Sequence, residues 1–180
     1  MVSTCNKLIL WTGQKHCGKT TSLANLVKIA SYEGFVVAGL LAPSTYIDGQ
    51  LLGFDAVDLR NEKRVPLARR KAGQFTFSAE GLKLGNAALS KAATKSVDLV
   101  IVDEFGPLEL NGQGWRKNVD SLLAASNPLI LLVVRQELAD EVRQVYRDFP
   151  CRHLAAKESE SVDKVIEMLK NHRQLQRETA

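Results

Sequence analysis

Cysteine is scarce in this sequence. Cys5, Cys17 and Cys151 are three in 180 residues, an odd number with no CxxC spacing. That pattern supports neither a disulfide framework nor a zinc site, and a reducing cytoplasm is the expected setting. Long apolar runs are missing too. The longest, such as Leu129–Val134, falls far short of the roughly 20 residues that span a bilayer, so no membrane partner is expected. Met1–Asn6 lacks the basic start of a secretory signal, and Leu8–Trp11 runs straight into Gly and Lys residues. Neither sign of charge dominates: 24 Lys and Arg stand against 20 Asp and Glu, a net of +4. With 45% hydrophobic and 24% charged residues, the composition is that of a folded globular chain rather than a disordered one. The length suits one domain, 1–180, with one sizeable core.

The positive excess lies mainly in Arg60–Lys71 and in Lys170–Arg177. Such basic runs are usually solvated surface, so nucleic acid is not the expected partner, whereas a nucleotide is itself a polyanion.

Apolar spacing lays out an alternation of strands and helices. Lys7–Thr12 reads as a buried strand, Thr20–Tyr32 as a helix through Leu23, Leu26, Val27 and Ile29, and Val36–Leu41 as a second strand. Gly34 stands where a left-handed helix cap is wanted. Strand, helix, strand of this length calls for a parallel pair. The stretch 44–77 differs. Asp48-Gly49 is a hairpin signal, and Gly53–Leu59 alternates with Phe54, Ala56, Val57 and Leu59 as inward candidates, predicting a small antiparallel insertion of two to four strands. A helix is predicted over Ala79–Lys95 behind a Ser78 cap, a buried strand over Asp98–Asp103, and a helix over Trp115–Ala125 that Pro128 stops. A strand over Leu129–Val134, a helix over Leu138–Tyr146, a short strand over Cys151–Leu154 and a terminal helix over Ser161–Leu175 complete the order. The fold class expected is α/β, a mostly parallel sheet with helices on both faces.

Between the first strand and the first helix, Gly13-Gln14-Lys15-His16-Cys17-Gly18-Lys19-Thr20 matches GxxxxGK[ST] in full. Phosphate oxygens need many donors at close range, and a glycine-bearing loop can turn successive backbone N–H groups inward around them. The following helix adds its free N–H groups and dipole. Lys19 is then the cation for the β- and γ-phosphates, the Thr20 hydroxyl a magnesium ligand, and Thr21 a contact to the α-phosphate. Lys15 offers a second positive charge.

The strand Leu99–Val102 ends in Asp103-Glu104, the Walker B pattern. Strand ends of this kind meet at the ligand crevice. Asp103 is expected to hold magnesium and Glu104 to orient or deprotonate an attacking water. Arg135, directly after a buried strand, Arg69 and Arg70 are the candidates for stabilising charge on the transferring phosphoryl group.

These residues resemble the small thermophile-type nucleoside-triphosphatases, over about residues 7 to 150. The likeness rests on Thr12-Gly13 with Gly18-Lys19-Thr20-Thr21, on Gly53-Phe54-Asp55, on Pro66-Leu67 with Arg69, and most specifically on Asp103-Glu104-Phe105-Gly106-Pro107-Leu108-Glu109-Leu110. The resemblance implies a RecA-like P-loop fold and magnesium-dependent hydrolysis of nucleoside triphosphates to diphosphate and phosphate, with broad base selectivity. It places the general base on Glu104, the magnesium residues on Thr20 and Asp103, and a second motif acid on Glu109, with a structural role in the loop as the other reading. Lys15 and His16 stand where the family usually has Pro and Gly, and Leu51 and Leu52 where it often has Arg. Two other functions stay open: a P-loop transferase, either a small-molecule kinase or a corrinoid adenosyltransferase, and a nucleotide-dependent adaptor. Phe54, Trp115 and Phe149 read as core rather than base-stacking groups.

Overall fold

The computed structural model describes residues 7–14, 17–90, 94–125, 128–158 and 160–179. Among the described residues, nine strands form one sheet: β1 (Leu8–Gly13), β2 (Val37–Leu41), β3 (Ser44–Ile47), β4 (Gln50–Asp58), β5 (Arg64–Lys71), β6 (Gln74–Phe77), β7 (Leu99–Val102), β8 (Leu129–Arg135) and β9 (Cys151–Ala155). The helices among the described residues are α1 (Lys19–Tyr32), α2 (Ala79–Ala88), α3 (Pro107–Leu110), α4 (Arg116–Leu123), α5 (Ala139–Val145) and α6 (Ser161–Thr179). The strand order is β6-β5-β4-β2-β7-β8-β1-β9, with β3 paired to β4. The segment β2-β7-β8-β1-β9 is parallel throughout, and β4 joins it antiparallel to β2.

Alternation along each central strand divides the core in two, because successive side chains point to opposite faces. Ile9 and Trp11, Leu99 and Ile101, and Leu129, Leu131 and Val133 pack with Leu23 and Leu26 of α1 and Val165, Ile166 and Leu169 of α6. Leu8 and Leu10, Val100 and Val102, and Ile130, Leu132 and Val134 pack on the other face with Val119, Leu122 and Leu123 of α4 and Val142 of α5. Burial on both faces explains why these strands read as continuous apolar runs.

The predicted insertion is a four-stranded antiparallel array, β3 to β6, turned first at Asp48 and Gly49 (φ 49° and 75°). Its second strand departs from simple alternation. Ala56 belongs to one core, Val57 packs against the other, and Asp55 and Asp58 are buried as well, since β4 is covered on both sides where it meets β2.

Several helices differ from their predicted spans, among them α6, which runs on to Thr179 rather than ending at Leu175. Helix α2 ends at Ala88 rather than Lys95; of the apolar side predicted for it, Leu82, Leu84 and Leu89 pack on the core and Ala88 is buried, with Gly81 and Gly85 buried as well. Ala92, also predicted on that apolar side, lies outside the described residues. A Cβ on Gly85 would lie 2.4 Å from the Trp115 ring, so this glycine lets helix and indole touch. Helix α3 was not expected, and α4 begins at Arg116. The predicted helix over Leu138–Tyr146 is a 3-10 turn, Gln136–Leu138, followed by α5. Among the described residues no helix is long and apolar enough to cross a membrane.

Candidate functional site

The C-terminal ends of β1, β7 and β8 open on one crevice. Strand β8 lies between the other two, so Gly13 pairs in register with Arg135, and Val102 with Leu132. The loop after β1 turns into α1 at Gly18, whose φ of 88° is left-handed and suits a residue without Cβ. Helix α1 has no side-chain cap and no acid in its first turn. Its first N–H groups therefore lack intrahelical partners and face the crevice with the positive end of the helix dipole. Lys19 Nζ donates to the carbonyls of Gly13 (3.1 Å) and Gln14 (2.8 Å), folding back along the loop. Cys17 is half-buried and Thr21 exposed. The predicted loop residues Lys15 and His16 lie outside the described residues.

Asp103 is 3% exposed and accepts two hydrogen bonds on Oδ2, from Thr20 Oγ1 at 2.9 Å and from the Ala42 backbone N–H at 3.1 Å. Burial pushes its carboxyl up to about 6, against the pull of those two bonds. The next residue, Glu104, accepts from Arg135 Nε at 2.7 Å, each side chain about a third exposed. Thus Thr20, Asp103, Glu104 and Arg135, drawn from α1, the end of β7 and the end of β8, meet on one rim.

The segment that follows is held from inside. Phe105 N–H donates to Val133 O at 2.8 Å, and the ring is fully buried against Tyr146. Glu109, 4% exposed, turns back into its own loop. Its Oε2 accepts from Gly106 N–H at 2.9 Å and its Oε1 from Trp115 N–H at 3.1 Å. Burial raises its carboxyl above the usual carboxylate range. The side chain is committed to the loop, which agrees with the structural reading of this acid. Arg69 is committed elsewhere as well: it donates to Phe54 O at 2.6 Å and to Asp55 Oδ1 at 2.5 Å, and Arg64 donates to Asp55 Oδ2 at 2.7 Å. Asp55 is lowered overall; burial opposes the change, and the Arg69 and Arg64 contacts bring it about. Arg70 is exposed on β5 and away from the crevice lining. Of the three candidate arginines, only Arg135 bonds to the Asp103-Glu104 pair, through Glu104.

The crevice is the mouth of a cleft of about 680 Å³, which runs from the phosphate loop and Asp103-Glu104 toward β3–β6, α2 and α3. Phe54 and Trp115, expected as core, both line it, and Trp115 is also buried against the second core. Phe149 packs on Tyr146 as a core residue. Sequence reasoning missed Tyr46, Phe75 and Phe77. The alternation Gln74-Phe75-Thr76-Phe77 was the available signal, placing both rings on one face of a strand.

A family model described as NTPase matches residues 8–167. Nucleoside-triphosphatase THEP1 of Methanopyrus kandleri is 30% identical over 151 residues, covering 75% of this chain and 83% of its own length. That of Archaeoglobus fulgidus is 31% identical over 143 residues, covering 76% and 84%. In fold, the crystal structure of THEP1 from the hyperthermophile Aquifex aeolicus superposes with a TM-score of 0.69 at 17% identity, covering 91% of this chain and 99% of that one. The chain therefore belongs to the family of P-loop nucleoside-triphosphatases to which these THEP1 proteins belong.

Proposed function

We propose that this protein is a magnesium-dependent phosphohydrolase that converts nucleoside triphosphate and water to nucleoside diphosphate and phosphate, with broad base selectivity. The observation that carries the reading is the convergence of two pairs on one rim, Thr20 with Asp103 and Glu104 with Arg135. The backbone donors of Gly13–Thr20, with Gln14, Lys15, His16, Cys17 and Gly18 in the loop, surround the β- and γ-phosphates, and Lys19 neutralises them. Thr21 meets the α-phosphate. In this reading the nucleoside leaves past Ser22 toward the β9–α6 connection, where Ser22 Oγ donates to Ala156 O at 3.4 Å. A grip made mostly of loop backbone reads phosphates, which all nucleoside triphosphates share.

Thr20 and Asp103 suit magnesium, a hard cation that takes oxygen ligands. Both donors are oxygens, they stand 2.9 Å apart, and burial leaves the Asp103 carboxylate short of a countercharge. Bound there, the ion would neutralise charge on the β- and γ-oxygens. Glu104 takes the proton of the attacking water as its oxygen approaches phosphorus. Arg135 orients Glu104 through Nε and turns its other guanidinium donors to the oxygens that gain charge.

The test is phosphate release from ATP, GTP, CTP and UTP with magnesium, for the wild type and Glu104→Gln. The wild type should turn over all four, and the variant should bind them with turnover reduced by roughly 10²–10⁴. Absence of phosphate release from every nucleotide, with binding intact, would refute the proposal.

A further inference from the structure

The cleft extends well beyond what a triphosphate occupies. Its far end is lined by Tyr46, Phe54, Phe75, Phe77, Leu82 and Leu108, all on the side of the phosphate loop opposite the β9–α6 connection. Eight large hydrophobic residues of the described chain are exposed, and four of them, Tyr46, Phe75, Phe77 and Leu108, line this one cleft. Single exposed apolar side chains need no explanation, but their concentration in one concavity does. The register shows how the hollow is made. Phe54 pairs with Ala68, and Ala68 with Phe77, in one row across β4, β5 and β6. A methyl group between two rings leaves a slot with aromatic sides, and Phe75 adds a third ring 5.2 Å from that of Phe54.

Charge narrows what could enter. Among the described residues, the basic ones in the lining are Lys19 and Arg135, both at the phosphate end. Arg64 and Arg69 are tied to Asp55 and lie outside the lining, so a second phosphate or carboxylate would find no cation in the slot. The acids of the lining are engaged too: Asp103 with Thr20 and Ala42, Glu104 with Arg135, and Glu109 with Gly106 and Trp115. A cationic ligand would therefore meet ring faces at that end but no free carboxylate beside them.

We infer that this end of the cleft is a second small-molecule site, which takes a flat, uncharged aromatic ligand beside the terminal phosphate. The inference rests on the proposed nucleotide site only for its orientation: the base lies toward β9–α6 and the slot stays free when nucleotide is bound.

The probe is prodan, an uncharged naphthalene dye whose emission shifts to the blue in apolar surroundings. It should bind the full-length protein with one-to-one stoichiometry, and equally well with saturating magnesium and ADP. Phe75→Ser combined with Phe77→Ser should weaken binding at least about tenfold, consistent with losing two well-buried ring contacts. Ala68→Leu, which fills the slot without removing a ring, should do the same. Tyr32→Ser, an exposed aromatic far from the cleft, should leave binding unchanged. Circular dichroism and ADP affinity establish that each variant is folded. Displacement of prodan by ADP would overturn the inference by making the slot the nucleotide's own base pocket. So would wild-type affinity in folded slot variants. Neither result depends on phosphate release, so failure of the hydrolase reading would be seen separately.

Discussion

Replacing Glu109 by alanine should destabilise the protein more than any other single change on the crevice rim. In the native fold its carboxylate accepts the N–H groups of Gly106 and Trp115, and all of this is buried. Alanine leaves two buried donors without acceptors, at about 1–3 kcal/mol each, and adds a cavity. Roughly 3–5 kcal/mol is expected, or about 6–20 °C in melting temperature for a chain of this size. Glutamine keeps the shape and one acceptor oxygen, so Glu109→Gln should cost about half as much. Thermal unfolding of the three proteins by circular dichroism, without nucleotide, measures this order directly. The loop also carries Glu104, so phosphate release should fall in step with the loss of stability. If Glu109→Ala melts within about 1 kcal/mol of the wild type, the two backbone bonds do not hold the loop and the reasoning fails.

Two further changes separate stability from turnover. Arg135→Ala breaks an ion pair whose members are each about a third exposed, so it should alter stability by less than about 1 kcal/mol. Its phosphate release should nevertheless drop at least about tenfold, with partial recovery in Arg135→Lys; wild-type turnover in the alanine variant would remove Arg135 from the proposed mechanism. Asp103→Asn should stabilise the protein in magnesium-free buffer. The folded carboxyl stands near 6 against an ordinary 3.8, so its penalty is absent below about pH 4, grows as pH rises between the two values, and is complete above 6. The gain should therefore be on the order of 2–3 kcal/mol at pH 7.5 and vanish near pH 4, as read by melts at both pH values. An equal effect at both would mean that ionisation is not its cause.

The parts of the site legible in the sequence are those written in consecutive residues. The phosphate loop, the apolar run ending in Asp103-Glu104, and Arg135 after its strand each carry a local signature, and strand polarity sends all three to the C-terminal end of the sheet. What was not legible depends on register and strand order. Nothing local states that Arg69 reaches back to Asp55, since that contact follows from antiparallel pairing of β4 with β5 and the irregularity at Phe54/Asp55. The placement of β8 between β1 and β7, which brings Arg135 to Glu104, is likewise a property of the sheet. Helix α2 is shorter than its apolar spacing suggested, and the close approach of Gly81 to Leu67 and of Gly85 to Trp115 is invisible to hydrophobic periodicity, which gives glycine no weight. The aromatic slot escaped notice because each of its rings is ordinary alone, and only the row across three strands makes a concavity.

The pairing of β1 also sets when the protein can become active during its own synthesis. The strand that carries the phosphate loop pairs with β8 and β9, and both come late in the chain. Until Leu129–Ala155 has emerged from the ribosome, the backbone N–H and C=O groups of Leu8–Gly13 have no sheet to join, and α1 has no fixed strand from which to start. The insertion strands β3–β6, by contrast, pair with near neighbours in sequence and can assemble early, since short loops close at low entropic cost. A nascent chain can thus build the wall of the cleft before it can grip a phosphate, and nucleotide binding marks the completion of the sheet.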